Sequence, residues 1–110
     1  MALTREFKQT VRARAQRDAA FRKELLREAV ENFLAGDVET GKAILRDYIN
    51  ATIGFQELAG LTNYSPKSLV RMLSPSGNPQ ATNLFEILSA LQGKARVQFR
   101  LKAFQTAARK

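Results

Sequence analysis

The run Tyr64-Ser65-Pro66-Lys67-Ser68-Leu69-Val70-Arg71-Met72-Leu73 concentrates the side chains best suited to meet a polyanion. Lys67 and Arg71 stand four apart, the spacing that puts two side chains on one face of a helix. So placed, both can contact phosphates or the acceptor edge of guanine, and Ser65 and Ser68 beside them can hydrogen-bond a phosphate or a base. Ser65 followed by Pro66 marks where the helix begins. Serine accepts a bond from an otherwise unsatisfied amide, and proline at the first helical position has no amide to satisfy. Taken alone, Lys67 and Arg71 fit a solvated helix face better than a DNA contact, so the weight falls on the elements that surround them.

Just upstream lies a second short apolar pattern, Phe55 to Gly60, separated from the first by Thr62-Asn63-Tyr64-Ser65. Two short helices this close predict a helix-turn-helix, in which the first helix braces the second and the second presents its N-terminal residues to the major groove. Ala59 supplies the small residue where the helices cross. Leu69 and Met72 pin the second helix from behind, with Leu58 and Tyr64 completing a small core. Asn63 is the turn residue that tolerates a left-handed backbone. Gln56, near the start of the first short helix, would reach a phosphate or brace its neighbour.

The rest of the chain reads as scaffold. Phe7, Val11 and Ala15 at helical spacing within residues 4–17 predict a short amphipathic helix or basic arm, with Thr4 as its cap. Asp18 caps a longer helix whose apolar stripe runs from Phe21 through Leu25, Ala29, Val30, Phe33 and Leu34 to a stop at Gly36. Asp37 or Thr40 starts a third, which buries Ile44, Leu45, Tyr48 and Ile49 before Gly54 breaks it. Ser74 to Pro79 is a loop, and Leu84, Ile87, Leu88 and Leu91 then mark a packed helix ending near Gly93. In the tail, Ala95, Val97, Phe99 and Leu101 alternate with Arg96, Gln98, Arg100 and Lys102 as a strand would, although Val97, Leu101, Phe104 and Ala108 would equally line a helix. The strand is favoured, and a lone strand needs a partner such as a second copy across a two-fold axis. The chain thus divides into a basic N-terminal helical extension (1–20), a helix-turn-helix domain (21–93) and a basic tail (94–110).

Composition narrows the chemistry. The 110 residues include neither cysteine nor histidine, which removes disulfides, thiolate zinc sites, cysteine nucleophiles and histidine bases together. No catalytic residue, metal ligand set or cofactor is expected, and an enzyme is disfavoured. Glu24, Glu28 and Glu31 lie at helical spacing beside Arg27 and suit a solvated or partner-facing surface better than acid-base work. The seven phenylalanines fall mostly on apolar stripes and are expected in the core rather than as base-stacking platforms. The Ser74–Pro79 loop lacks the lysine of a phosphate-binding loop. The net charge of +8 is segregated: seven Lys/Arg against two Asp/Glu in residues 1–23, three against seven in 24–63, eight against one in 64–110. Two basic ends suit a polyanion and the acidic middle a basic protein. With no secretory leader and no run near the ~20 apolar residues of a membrane span, a cytoplasmic location without membrane attachment is expected.

From Phe33 to Leu91, with "FLAGD", "GFQELAGLTNYSPKSLVRML" and the "LSPSGNP" loop, the chain resembles the lambda-repressor-like helix-turn-helix regulators of the xenobiotic-response-element type. More narrowly, it resembles the antidote (antitoxin) branch of bacterial toxin-antitoxin modules. The resemblance implies an all-α fold, a five-helix bundle with helix-turn-helix, here with the N-terminal extension and a short C-terminal strand. It implies an autoregulating repressor, a homodimer on double-stranded operator DNA, nucleoid-associated when bound, that also neutralises a small mRNA-cleaving toxin. Two alternatives stay open: a toxin-neutralising module whose DNA binding is secondary, and a plain regulator with no toxin partner. On the matching positions, Pro66, Lys67, Ser68 and Arg71 become the recognition-helix face, Gln56 the supporting contact, and Asn78 in "GNP" a loop anchor or phosphate contact.

Overall fold

The computed structural model describes residues 5–107, excluding the Lys8 side chain, as six helices. They are α1 (Arg5–Arg17), α2 (Ala19–Leu34), α3 (Val38–Ala51), α4 (Gly54–Leu61), α5 (Pro66–Met72) and α6 (Ala81–Ala95). The all-α expectation holds. Thr4, the expected cap of α1, lies outside the described residues.

Local chemistry sets most of the boundaries. Asp18 accepts from Phe21 N at 3.1 Å and starts α2; this backbone bond is the chief reason its carboxyl is held below the usual range. Asp37 accepts from Thr40 N at 3.2 Å and starts α3. Between them Gly36 takes φ +87°, a left-handed conformation that closes the corner after α2. α1 is joined to the start of α2 by two arginines: Arg22 Nη1 donates to Ala15 O at 2.8 Å, and the Arg14 guanidinium stands 4.6 Å from the centre of the Phe21 ring.

α2 and α3 pack most extensively, and the Phe33 ring lies so close over Gly41 that a Cβ there would stand 2.7 Å from it. Around this pair a core of Leu26, Leu45, Ile49, Leu58, Leu69, Leu73, Ile87 and Leu91 is buried from solvent. Burying each such side chain contributes about 1.5–3 kcal/mol, so the aliphatic residues carry the core. The phenylalanines do not: Phe33, Phe55 and Phe99 pack at its edge, whereas Phe7, Phe85 and Phe104 are 52%, 65% and 74% exposed.

Two expectations need correction. There is no strand among the described residues. α6 runs through Gly93 to Ala95 and stops where Arg96 takes φ 59°, with Val97 N donating to Gln92 O at 3.1 Å. The chain then folds back along the helix end. Phe99 N donates to Gln92 Oε1 at 2.8 Å, and Val97 and Phe99 pack on the core while Arg96, Gln98 and Arg100 face solvent. The alternation belongs to an extended strap held by a glutamine side chain, not to a strand held by a neighbouring ladder. The second correction concerns Asn63, which is not left-handed; among the described residues Arg96 is the one non-glycine with positive φ. Thr62 closes the turn instead: its Oγ1 donates to Leu58 O at 3.2 Å and accepts from Tyr64 N at 3.3 Å.

Candidate nucleic-acid interface

α4, the four-residue turn and α5 form a continuous unit whose buried side is Leu58, Leu69 and Leu73, with Ala59, Tyr64 and Met72 packed against it. All but Leu73 are positions the sequence assigns to the helix crossing or the small core. Ser65 Oγ accepts from Ser68 N at 3.1 Å and donates to Ser68 Oγ at 3.0 Å, so the cap forms with Pro66 as the first helical residue. The cap occupies Ser68 and orients both hydroxyls at the start of α5.

The opposite face of α5 is the basic one. Lys67 and Arg71 are exposed, Pro66 and Ser68 half-buried, and Ser65 exposed. Neither cationic side chain is engaged by another group of the described residues. The surrounding chain has no acid between Glu57 and Glu86. Those two carboxylates are themselves occupied: Glu57 pairs with Lys94 at 2.8 Å, and Glu86 lies 2.6 Å from the Tyr64 hydroxyl. No ion pair among the described residues engages Lys67 or Arg71, which leaves both charges available to a polyanion.

The site residues fall into three groups. Ser65, Pro66, Lys67, Ser68 and Arg71 are brought together on α5 and its cap. Gln56 is exposed on the first turn of α4, a helix whose own N-terminus has no side-chain cap. Asn78 is exposed in the loop after α5, next to Gly77, and makes no anchoring bond among the described residues; the loop is anchored by other groups.

Those groups are what the sequence did not reveal. Lys42 on α3 is 1% exposed and donates to Ser74 O at 3.0 Å and Gly77 O at 2.6 Å, while Glu39 Oε2 lies 2.9 Å away. Arg46, one turn further on, donates to Leu73 O. Gly77 sits where a Cβ would stand 2.1 Å from Arg71 O and 2.5 Å from Met72 O, so the loop backbone lies directly on the end of α5. At the other end of the unit, the Tyr64 hydroxyl reaches α6, 2.8 Å from Asn83 Oδ1 and 2.6 Å from Glu86 Oε1. The hydrogen bond to the Glu86 carboxylate raises the Tyr64 pKa above its ordinary value, with burial adding to the shift.

Among the described residues, no group of three or more acidic, histidine or cysteine side chains could hold a metal ion, and no helix is long and apolar enough to cross a membrane. The chain is thus an all-helical bundle that displays one short, capped, basic helix. No family model, no curated protein and no solved structure matches it.

Proposed function

We propose that this protein is a sequence-specific DNA-binding transcriptional regulator of lambda-repressor-like helix-turn-helix type, an autoregulating repressor of the antitoxin kind. The observation that carries the reading is the face of α5: a serine-capped, proline-started helix with Lys67 and Arg71 outward, unpaired among the described residues and far in sequence from any acid. In the major groove, Lys67 and Arg71 contact guanine edges or phosphates, Ser65 and Ser68 hydrogen-bond alongside them, and Pro66 fixes the entry of the helix. Gln56 and Asn78 contact the flanking phosphates. The protein acts as a homodimer on a palindromic operator, its recognition helices about 34 Å apart, one helical turn of DNA. It resides in the cytoplasm and associates with the nucleoid when bound.

Arg71→Ala tests the assignment. If Arg71 reads a base, the substitution costs about 1–3 kcal/mol and relaxes preference at one position of each half-site. If it holds only phosphate, binding weakens equally on every sequence and the salt slope falls by about one. Operator affinity unchanged by Arg71→Ala would remove α5 as the recognition helix.

A second reading, a module that masks a small basic toxin, is favoured by a groove of about 600 Å³ between α1, α2 and α3. Its walls include Phe7, Val11, Phe21, Leu25 and Ile44, with Glu28 and Asp47 supplying negative charge beside Arg46, and Glu39 paired with Lys42. Arg27 bonds both Glu24 and Glu31 at 2.5 Å, which neutralises two of the three α2 carboxylates and leaves Glu28 lining the groove. Co-purification with the product of a short neighbouring gene, lost on Glu28→Lys, would favour this reading.

A further inference from the structure

An ammonium group 1% exposed is costly unless each of its protons finds an acceptor. Lys42 has three protons and three acceptors, the Ser74 and Gly77 carbonyls and the Glu39 carboxylate. Arg46 takes the Leu73 carbonyl. Leu73, Ser74 and Gly77 belong to the end of α5 and the loop that follows it, where a helix leaves its last carbonyls without partners. Cations are also the charge that a helix C-terminus favours. Two side chains from α3 thus serve one end of a helix more than twenty residues downstream.

The length of α5 makes this consequential. Seven residues are two turns, too few to hold a direction by their own hydrogen bonds. Its N-terminal end is set by Ser65 and by the Tyr64 bridge to α6, its buried side by Leu69 and Leu73. Apolar contacts are non-directional, and the Ser74 Oγ bond to Arg71 O at 2.7 Å is internal to the segment, so the polar groups that tie the C-terminal end to the rest of the fold are Lys42 and Arg46. A methionine at position 42 would fill similar volume without fixing where the three carbonyls stand.

We propose that Lys42 and Arg46 are positioning residues of the DNA-binding face: they fix the roll of α5 and the path of the loop, and through these the direction of Lys67 and Arg71 and the place of Asn78. The inference rests on the DNA-binding reading above and assigns it two residues that touch no DNA.

The test uses the full chain with Lys42→Met and Arg46→Met, and with Ile87→Val in α6 as a stability control that leaves both cations in place. One readout is amide hydrogen exchange at Leu73, Ser74 and Gly77, whose bonds to Leu69 O (3.2 Å), Arg71 O (3.2 Å) and Ser74 O (2.9 Å) report the end of α5 and the loop. The other is the ratio of affinities for the duplex upstream of the protein's own gene and a scrambled duplex. Both methionine variants should exchange faster at these amides and lose about tenfold in the ratio, comparable to one well-made base contact. Ile87→Val should lower the melting temperature and leave the ratio intact. Should Lys42→Met fail to fold, the half-buried Arg46 carries the test through Arg46→Met. Faster exchange with an unchanged ratio would reduce the two cations to fold elements and overturn the proposal. Absence of any operator preference in the wild type would instead bring down the DNA-binding reading, and this inference with it.

Discussion

A methyl group at Gly77 would have nowhere to go. Its Cβ would stand 2.1 Å from Arg71 O and 2.5 Å from Met72 O, whereas carbon and oxygen come to rest no closer than roughly 3.3 Å. The loop must therefore retreat by about 1 Å from the end of α5. A retreat of that size breaks the bond from Gly77 N to Ser74 O, now 2.9 Å, and the bond from Lys42 Nζ to Gly77 O, now 2.6 Å. The first is an ordinary hydrogen bond worth about 0.5–1.5 kcal/mol, the second a charged one worth about 1.5–3 kcal/mol, so Gly77→Ala should cost roughly 2–4 kcal/mol. At this chain length a kcal/mol corresponds to about 4 °C, and the melting temperature followed by circular dichroism at 222 nm should fall by roughly 8–16 °C. Gly93→Ala is the control: it is an exposed helical position with nothing within 4 Å of the added carbon, and alanine there should stabilise by about 0.5–1 kcal/mol. A Gly77→Ala protein that melts within about 2 °C of the wild type would refute the close approach.

Ser65→Ala removes the cap bond to Ser68 N and should destabilise by about 0.5–2 kcal/mol in urea unfolding, with operator affinity falling as the start of α5 frays; an unchanged midpoint would mean the cap carries no weight. Tyr64 should give a pH signature. Its folded pKa is raised by the Glu86 bond, so the unfolded chain loses the phenolic proton first, and stability present below about pH 10 is lost as pH rises through the folded pKa. Tyr64→Phe should remove that part of the alkaline decline, and unfolding curves of the two proteins that stay parallel from pH 8 to 11 would argue against it. Asp18 works in the opposite sense: its folded pKa is lowered, so its contribution is present above the ordinary carboxyl range and disappears as pH falls through the folded value. Asp18→Asn should accordingly flatten the acid limb of the stability curve.

How far the sequence could be read depended on where each residue's partner lies. Asp18, Asp37 and Ser65 bond amides three residues on, and Pro66 and Gly36 act through their own backbone, so caps and helix starts were legible from neighbours alone. Most of the small core between α4 and α5 followed from the 3.6-residue period. The tail was not legible, because alternation fixes which side chains face inward but not whether the backbone meets a strand or, as here, the side chain of Gln92. The turn was misread at Asn63 because a threonine hydroxyl can close it without any left-handed residue. Lys42 was invisible for a deeper reason. Its partners are backbone carbonyls 32 and 35 residues away, which every residue possesses, and its spacing from Glu39 looks like an ordinary surface ion pair. Exposure of Phe7 was hidden likewise, since a stripe on a helix does not say how deep its edge will sit, whereas Phe85 stands off the Leu84–Ile87–Leu88–Leu91 stripe and Phe104 lies beyond α6.

Fluorescence anisotropy of the full chain on the duplex upstream of its own gene, against a scrambled duplex of equal length at two salt concentrations, separates charge from sequence reading. Charge acts on both duplexes alike and weakens with salt, whereas base contacts from Lys67 and Arg71 favour only one. The native duplex should bind at least about a hundredfold tighter and keep that ratio as salt rises. Equal affinities that fade together would contradict operator recognition and leave the basic face of α5 a generic polyanion surface.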